Sequence, residues 1–191
     1  MSSSGRLRLF VAASVPAPLL AELARATVGL RERWPSARWT PPENQHVTLK
    51  FLGWVDEGLT PALHEVVATT AAEHDPAKVS LAGLGVFPGP TAARVLWAGL
   101  DDPKGLLRSL ANDLDERLEP LGFESEQRPF RAHVTLARFK ERVRADGLPG
   151  LDLGENAVFG VQAIELFRSH LSPRGPRYEV VRSFPLGGRA P

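Results

Sequence analysis

Two histidines with identical neighbours are the residues of this sequence best suited to acid–base chemistry. The tetrapeptide His-Val-Thr-Leu occurs at residues 46–49 and again at residues 133–136, in a chain of 191 residues. A chance second copy is improbable in a chain of this length and composition. Histidine titrates near neutral pH, so one imidazole can serve as a base and another as an acid. The repeat therefore predicts a site built on a pair of histidines.

Each copy of the tetrapeptide is typical of a β-strand, in which residues two apart point to the same side. His46 and Thr48 then share one face of the first strand. His133 and Thr135 share one face of the second. The intervening valine and leucine of each copy face the core. Two imidazoles and two hydroxyls suit a tetrahedral anion such as phosphate, and Arg138 would add positive charge nearby.

Hydrolysis of a cyclic phosphodiester is a reaction that such a pair can catalyse. One imidazole would take a proton from the attacking water, and the other would protonate the leaving oxygen. The threonine hydroxyls would donate hydrogen bonds to the non-bridging oxygens. One histidine must be protonated and the other must be neutral, which predicts a bell-shaped dependence of activity on pH.

Two other roles for the histidines stay open at this point. A lone histidine on a strand is more often packed or hydrogen-bonded in place, although equivalent positions in a repeat favour function. Zinc needs three or four ligands, and the sequence has no cysteine to supplement the two histidines. The patterns around His64, His74 and His170 favour solvent exposure. We therefore expect neither a metal nor another cofactor.

The composition is that of a globular protein, with 43% hydrophobic and 24% charged residues. The formal net charge of +1 gives no global basic field that would attract nucleic acid. Positive charge is nevertheless concentrated in residues 128–144 and again at Arg168, Arg174 and Arg177. This clustering fits either a solvated basic face or an anion-binding groove.

No apolar run is long enough for a transmembrane helix, and the N-terminal residues lack the apolar segment of a secretory signal. The lack of cysteine excludes disulfides and is compatible with a reducing compartment. We expect a cytoplasmic monomer without membrane contact.

The order of predicted elements repeats along the chain. Each half has a strand, a helix introduced by proline, a strand that carries the tetrapeptide and a further strand before a loop. The predicted strands cover residues 6–12, 46–52, 78–86, 94–100, 130–139, 158–167 and 177–182, and the predicted helices cover residues 19–33, 60–74 and 103–118. The pattern predicts an α+β fold in one domain, residues 1–191. Repeats of about residues 6–92 and 93–183 would build two pseudo-twofold lobes, with antiparallel sheets facing a central groove and helices outside.

Aromatic residues near the tetrapeptides are candidates for contact with a substrate. Phe139 lies six residues after the second histidine, so on a regular strand it shares that histidine's face. Phe51 lies five residues after the first, so it faces the core unless a bulge intervenes. Trp39 and Trp54 bracket the first tetrapeptide strand and could line the groove, whereas the apolar strand around Trp97 favours a core position.

Residues 46–53 and 133–139 resemble the paired His-x-Thr-x motifs of the two-histidine (2H) phosphoesterases. More narrowly, the chain is similar to bacterial and archaeal RNA 2′,3′-cyclic phosphodiesterases, historically called 2′-5′ RNA ligases. The likeness extends to residues 8–12, Trp39, Asn44, residues 87–88, 94–97 and 128–131, Leu166, Phe167, Ser169 and Tyr178. Ala132 is a departure, because family members often have proline there. The approach to the second strand is therefore less restrained.

The resemblance implies a bilobal α+β fold with an open groove, and no metal or nucleotide cofactor. It implies opening of a 2′,3′-cyclic phosphate at an RNA end to leave a 2′-phosphomonoester. His46 would be the proton donor to the 3′ oxygen, and His133 the proton acceptor. The residues expected to bind phosphate or substrate are Thr48, Thr135, Arg131, Arg138, Phe51 and Phe139. The reverse reaction would form a 2′-5′ linkage.

Three functions remain open from the sequence. The first is the cyclic phosphodiesterase acting on RNA ends. The second is an esterase of the same superfamily for a small cyclic nucleotide or another 2′-phosphate ester. The third is a phosphate- or RNA-binding module without turnover. The low net charge predicts contacts confined to the RNA terminus, with a modest dependence on salt.

Overall fold

The structure is a computed structural model that describes residues 5–151, 153, 157–173 and 175–187, so Arg174 lies outside the described residues. It confirms the predicted α+β class. The strands are β1 (Arg6–Ser14), β2 (Arg38–Trp39), β3 (His46–Asp56), β4 (Ala77–Phe87), β5 (Ala93–Asp101), β6 (His133–Val143), β7 (Val158–Val161), β8 (Ala163–His170) and β9 (Arg177–Pro185). The α-helices are α1 (Ala17–Ala26), α2 (Val28–Arg33), α3 (Thr60–Ala72) and α4 (Leu106–Leu118).

The strands form a single, strongly curled antiparallel sheet with the shape of a half-barrel. Their order across the sheet is β7, β4, β5, β6, β3, β1, β8 and β9, and β2 pairs with β6. Gln162 alone separates β7 at one edge from β8 near the other edge, and this short link requires the sheet to curl. The strand predicted over residues 158–167 is thus two strands on opposite sides of the sheet.

The two histidine strands, β3 and β6, lie side by side in the middle of the sheet. One assigned residue pair, Val47 opposite Val134, joins them. The expected pair of facing sheets is therefore one continuous sheet with two half-sheets. Each half-sheet takes strands from both repeats, because β4 pairs with β5 and β8 pairs with β1.

The main core lies between one face of the sheet and the helices. Leu9, Val11 and Ala13 alternate along β1 and are fully buried there. Val47 and Val134 are buried in the same layer, as the period-two pattern predicts. Each large aliphatic side chain buried in this way contributes about 1.5–3 kcal/mol to stability. The opposite face of the sheet, which carries the histidines, is called the open face below.

Two predicted boundaries differ in the structure for local reasons. The helix predicted over residues 19–33 is interrupted at Thr27, whose hydroxyl donates a hydrogen bond to the carbonyl of Leu23 at 2.8 Å. Such back-bonding competes with regular helix geometry. Gly53 was expected to end its strand, but β3 continues to Asp56 because Gly53 adopts a φ of +72° that glycine tolerates.

Both histidine strands contain a bulge at the same distance from the histidine. The pairing of β1 with β3 skips Leu49, and the pairing of β5 with β6 skips Leu136. As a result the consecutive residues Leu49–Lys50 and Leu136–Ala137 are all buried. A bulge of this kind reverses the alternation of side chains beyond it. The residue five positions after each histidine therefore returns to the open face.

The bulges exchange the predicted positions of two phenylalanines. Phe139 is 7% exposed, and its ring packs edge-on against Trp34 with centroids 5.3 Å apart. The prediction that Phe139 shares the face of its histidine, in contact with substrate, is therefore wrong. Phe51 is 52% exposed on the open face, and Arg138 holds the equivalent position in β6.

Lys50 occupies the buried position that the bulge in β3 creates. Only 6% of its side chain is exposed. Its ammonium group forms an ion pair with Asp115 of α4 and donates a hydrogen bond to the carbonyl of Glu124 at 2.6 Å. The Asp115 carboxylate also accepts the backbone N–H of Glu126 at 3.1 Å. This pair fastens β3 to α4 and to the segment that leads into β6.

Replacing Lys50 by methionine should lower the free energy of unfolding by about 2–4 kcal/mol, because Asp115 would keep its charge without a cation. Urea unfolding at neutral pH measures the change. The double variant K50M/D115N removes both charges and keeps the acceptor for Glu126, so it should recover much of the loss. Wild-type stability in K50M alone would contradict the prediction.

Candidate active site

His46 and His133 lie on neighbouring strands with both side chains on the open face. Extending the Val47–Val134 register by one residue places His46 opposite Thr135, and His133 opposite Thr48. Side chains directly opposite each other in an antiparallel pair have Cβ atoms about 4.5–5.5 Å apart. The structure thus brings the two predicted His-Thr units together in one patch, with each histidine next to the threonine of the other unit.

Aromatic rings surround the imidazole of His46. It stacks on Phe10 with ring centroids 4.7 Å apart and an angle of 28° between the planes. Tyr178 meets it edge-on at 5.2 Å, and Phe167 lies 5.8 Å away. Phe10, Phe167 and Tyr178 belong to a small apolar cluster separate from the main core. These contacts restrict the rotation of the imidazole.

The ring of His133 has its own aromatic surroundings. Phe87 meets it edge-on at 5.2 Å, and Trp97 lies 6.1 Å away. Trp97 itself covers Gly85, where a Cβ atom would stand 2.1 Å from the indole ring. Trp97 was predicted to lie in the core, but it lies on the open face beside the histidine. Its contact with β4 could not be inferred before the pairing of β4 with β5 was known.

Each imidazole donates a hydrogen bond to the backbone carbonyl two residues before it. The Nδ1 of His133 is 2.7 Å from the carbonyl oxygen of Arg131, and His46 bonds in the same way to Asn44. Because a carbonyl can only accept, Nδ1 of His133 carries a proton and Nε2 of the neutral ring is free to accept one. The side chain of Asn44 donates to the carbonyl of Pro176 at 2.8 Å, which fixes the carbonyl that orients His46.

Burial lowers the pKa of both histidines. The pKa of His46 falls to about 4, mainly through desolvation, with a further lowering by the charge of His133 and a partial compensation by the Asn44 carbonyl. Desolvation also lowers the pKa of His133, and the positive charges of Arg138 and Arg131 add to the effect. Both rings are consequently neutral at pH 7 in the free protein.

The predicted arginines lie at the edge of this patch. Arg131 is exposed, and its guanidinium group is 5.9 Å from the ring of Phe87 and 5.8 Å from that of Trp97. Arg138 is exposed on the open face and is close enough to His133 to lower the pKa of that imidazole. Both can approach an anion bound between the two histidines.

Several residues that build the site were not identified from residue pattern alone. Phe10 lies within an unbroken apolar run, which conceals that alternate residues of β1 face a second cluster. Arg8 holds its guanidinium group 4.7 Å above the ring of Phe51 and donates to the hydroxyl of Ser169 at 3.0 Å. The spacing of Arg8 and Phe10, two residues apart on one strand, was the sequence signal that both side chains share the open face.

The other aromatic and histidine candidates lie apart from the pair. Trp54 is 53% exposed opposite Arg8, whereas Trp39 packs against the core and donates its indole N–H to the carbonyl of Trp34 at 3.3 Å. His74 was predicted to be exposed, but its side chain is 13% exposed and lies 3.2 Å from Asp113.

The remaining two histidines have partners of their own. The Nε2 of His170 is 2.7 Å from the carboxylate of Glu179, and His64 is partly buried near Arg182. Among the residues that the structure describes, no three His, Cys, Asp or Glu side chains form a group that could hold a metal ion. Within the same residues, no helix combines the length and apolarity needed to cross a membrane.

A family model places this arrangement in a known class. The model of the 2′-5′ RNA ligase superfamily matches residues 15–172, which include both histidine motifs. The chain belongs to the 2′-5′ RNA ligase superfamily, as the resemblance of its motifs predicted.

Particular relatives cover nearly the whole chain. The RNA 2′,3′-cyclic phosphodiesterase of Methanothermobacter thermautotrophicus is 34% identical over 186 residues, which are 95% of this chain and 100% of that protein. The RNA 2′,3′-cyclic phosphodiesterase of Geobacillus stearothermophilus is 33% identical over 96% of this chain, which spans 58% of that longer protein. The crystal structure of Escherichia coli LigT complexed with 3′-AMP matches with a TM-score of 0.80 and 26% identity, covering 95% of this chain and 98% of LigT.

The low pKa of His46 predicts that stability falls at acid pH. The ordinary pKa of 6.5 applies to the unfolded chain and about 4 to the folded protein, so protonation below pH 6.5 favours unfolding. This part of the stability is complete above pH 6.5 and is lost as the pH falls toward 4. Between pH 7 and pH 4.5, wild type should lose about 2–3 kcal/mol more than H46Q in urea unfolding. Equal losses of stability in the two proteins would refute the lowered pKa of His46 in the folded protein.

Proposed function

We propose that this protein hydrolyses the 2′,3′-cyclic phosphate at RNA ends to a 2′-phosphomonoester, with His46 and His133 as the acid–base pair. The observation that carries the proposal is the shared patch in which each histidine faces the threonine of the other motif. Membership of the superfamily and the activity named for both relatives support the substrate class.

The proposed reaction begins with a phosphate held between the two imidazoles. His133 takes a proton from a water molecule as the water oxygen forms a bond to phosphorus. The bond from phosphorus to the 3′ oxygen breaks, and His46 gives its proton to that oxygen. Thr48 and Thr135 donate hydrogen bonds to the non-bridging oxygens, and Arg138 and Arg131 supply positive charge. No step requires a metal ion.

The role of His46 as proton donor requires that substrate binding restore its proton. Burial leaves this imidazole neutral at pH 7 in the free protein. A phosphodiester anion beside the ring favours the charged form and raises its pKa. The direction of proton transfer, with His46 as donor and His133 as acceptor, follows the family resemblance. The reverse reaction, which would join a cyclic end to a 5′-hydroxyl, uses the same groups with their roles exchanged.

The shifted pKa values predict different pH optima for two kinetic constants. The value of kcat/KM reports groups of the free enzyme, whose histidine pKa values lie below 6.5, so its maximum should lie on the acid side of pH 6.5. The value of kcat reports the enzyme–substrate complex, so its maximum should lie at higher pH. Initial rates on a dinucleotide ending in 2′,3′-cyclic phosphate measure both. Coincident optima near pH 7 would contradict the proposed effect of the bound anion.

Removal of either imidazole should abolish most of the turnover. We expect H46A and H133A each to lower kcat by about 10³-fold, and T48V and T135V by about 10²-fold. The assay follows release of a 2′-phosphate end from the cyclic RNA end in the presence of EDTA. The variant H64A, on the outer helix α3, is the matched control and should keep wild-type activity.

Four outcomes of this assay would count against the proposal. Full activity in H46A or H133A would refute the acid–base pair. Activity that appears only after a metal is added would refute the metal-free reaction. Binding of the RNA end without product would favour the binding module, and turnover restricted to cyclic mononucleotides would favour the small-nucleotide esterase.

Cytoplasmic location and a monomeric state stay predictions.

A further inference from the structure

Two arginines lie opposite each other beside the proposed phosphate site. In the pairing of β2 with β6, Arg38 faces Arg138 and Trp39 faces Ala137. Trp39 and Ala137 pack against the core, so the two arginines are on the open face, where both are exposed. Like charges directly opposite each other in a sheet are destabilising. An anion between the two guanidinium groups would reverse that repulsion.

Neither arginine of this pair has a carboxylate partner among the described residues of the chain. Some other surface arginines do have one. Arg144 lies 2.9 Å from Asp146, and Arg128 lies 3.1 Å from Glu126. The positive charge of Arg38 and Arg138 is therefore not neutralised by a carboxylate of the described residues.

The arginine pair is also at a suitable distance from the reacting phosphate. Arg138 follows Thr135 by three residues, which is about 10 Å along a strand. Arg38 lies on β2, which pairs with β6 beyond the point where β3 begins. A long arginine side chain spans several ångströms, so Arg138 can contact both the reacting phosphate and the one next to it. Arg38 shares no strand with either histidine, so it is better placed for the second phosphate.

The opposite end of the site has different chemistry. The residue equivalent to Arg138 in the first motif is Phe51, because each lies five residues after its histidine. Phe51 is half exposed and has the single guanidinium group of Arg8 over its ring. A site with two related histidines thus has one end suited to a base and one end suited to a phosphate, which would orient an RNA strand.

We propose that Arg38 and Arg138 form a second anion subsite, which binds the phosphodiester on the 5′ side of the terminal nucleotide. This inference rests on the proposed function and narrows its substrate class. A nucleoside 2′,3′-cyclic phosphate has no phosphate at that place, whereas every RNA oligonucleotide has one. The subsite therefore favours RNA ends over cyclic mononucleotides. Arg38 is a binding residue that does not touch the reacting atoms.

The test compares adenosine 2′,3′-cyclic phosphate with the dinucleotide ApA that ends in 2′,3′-cyclic phosphate. Wild type should have the higher kcat/KM on the dinucleotide. The variant R38Q should reduce the ratio of the two kcat/KM values about tenfold, and R38K should reduce it less. The slope of log kcat/KM against log salt for the dinucleotide should become shallower by about 0.7 in R38Q. R25Q, on the outer helix α1, is the matched control and should leave the ratio unchanged.

The outcomes separate this inference from the proposed function. An unchanged ratio in R38Q, or an equal loss on both substrates, would overturn the subsite and leave the cyclic phosphodiesterase intact. Failure of wild type to hydrolyse either substrate would overturn the proposed function. The subsite would then be tested by calorimetric binding of ApA carrying a 2′-phosphate. Tighter binding by wild type than by R38Q supports the subsite, and equal binding overturns it.

Discussion

The two half-sheets meet where Val47 lies opposite Val134, and this register sets the position of every group in the site. A shift of one residue would turn one of the two histidines toward the helices and expose the valine and leucine of its strand. The register is strongly specified because the other side of both strands is buried against the main core. The packing of α4 and the Lys50–Asp115 pair hold β3 in this place. The acid–base pair is thus a product of core packing on the far side of the sheet.

The same enclosure that positions the imidazoles opposes their protonation. A fall in pKa from 6.5 to about 4 means that the charged form of His46 is disfavoured by about 3 kcal/mol. An anion about 4 Å from an imidazolium contributes about 4 kcal/mol at an effective dielectric constant of 20. The two quantities are similar, so a bound phosphate can offset the desolvation. Burial therefore couples the protonation of the ring to the presence of an anion.

The sequence predicted the repeated His-Thr strands, the α+β class and the positions of both histidines, because a period of two is set by strand geometry. It did not predict the bulges, which depend on cross-strand register. A signal was present in Leu136-Ala137, two adjacent apolar residues followed by the alternation of Arg138 and Phe139. In the first repeat Lys50 concealed the same signal, since its burial requires Asp115 from a distant helix.

The aromatic surroundings of the histidines could not be predicted from the pattern of any single strand. Phe10, Phe167 and Tyr178 come from three strands and converge only when β8 and β9 pair beside β1. Trp97 was assigned to the core because its strand is apolar, and the space made by Gly85 lies on another strand. Such contacts are fixed by the order of strands in the sheet, which local patterns do not determine.

Each half-sheet contains strands from both repeats, and this affects the order in which the parts of the protein can fold. Leu9 of β1 pairs with Arg168 of β8, so the two partners are far apart along the chain. Contacts of such long range are slow to form, and the edge of β1 stays unpaired until β8 has been synthesised. Phe167 and Tyr178, whose rings contact His46, are also synthesised late. During synthesis on the ribosome, the surroundings of the first histidine are therefore completed last.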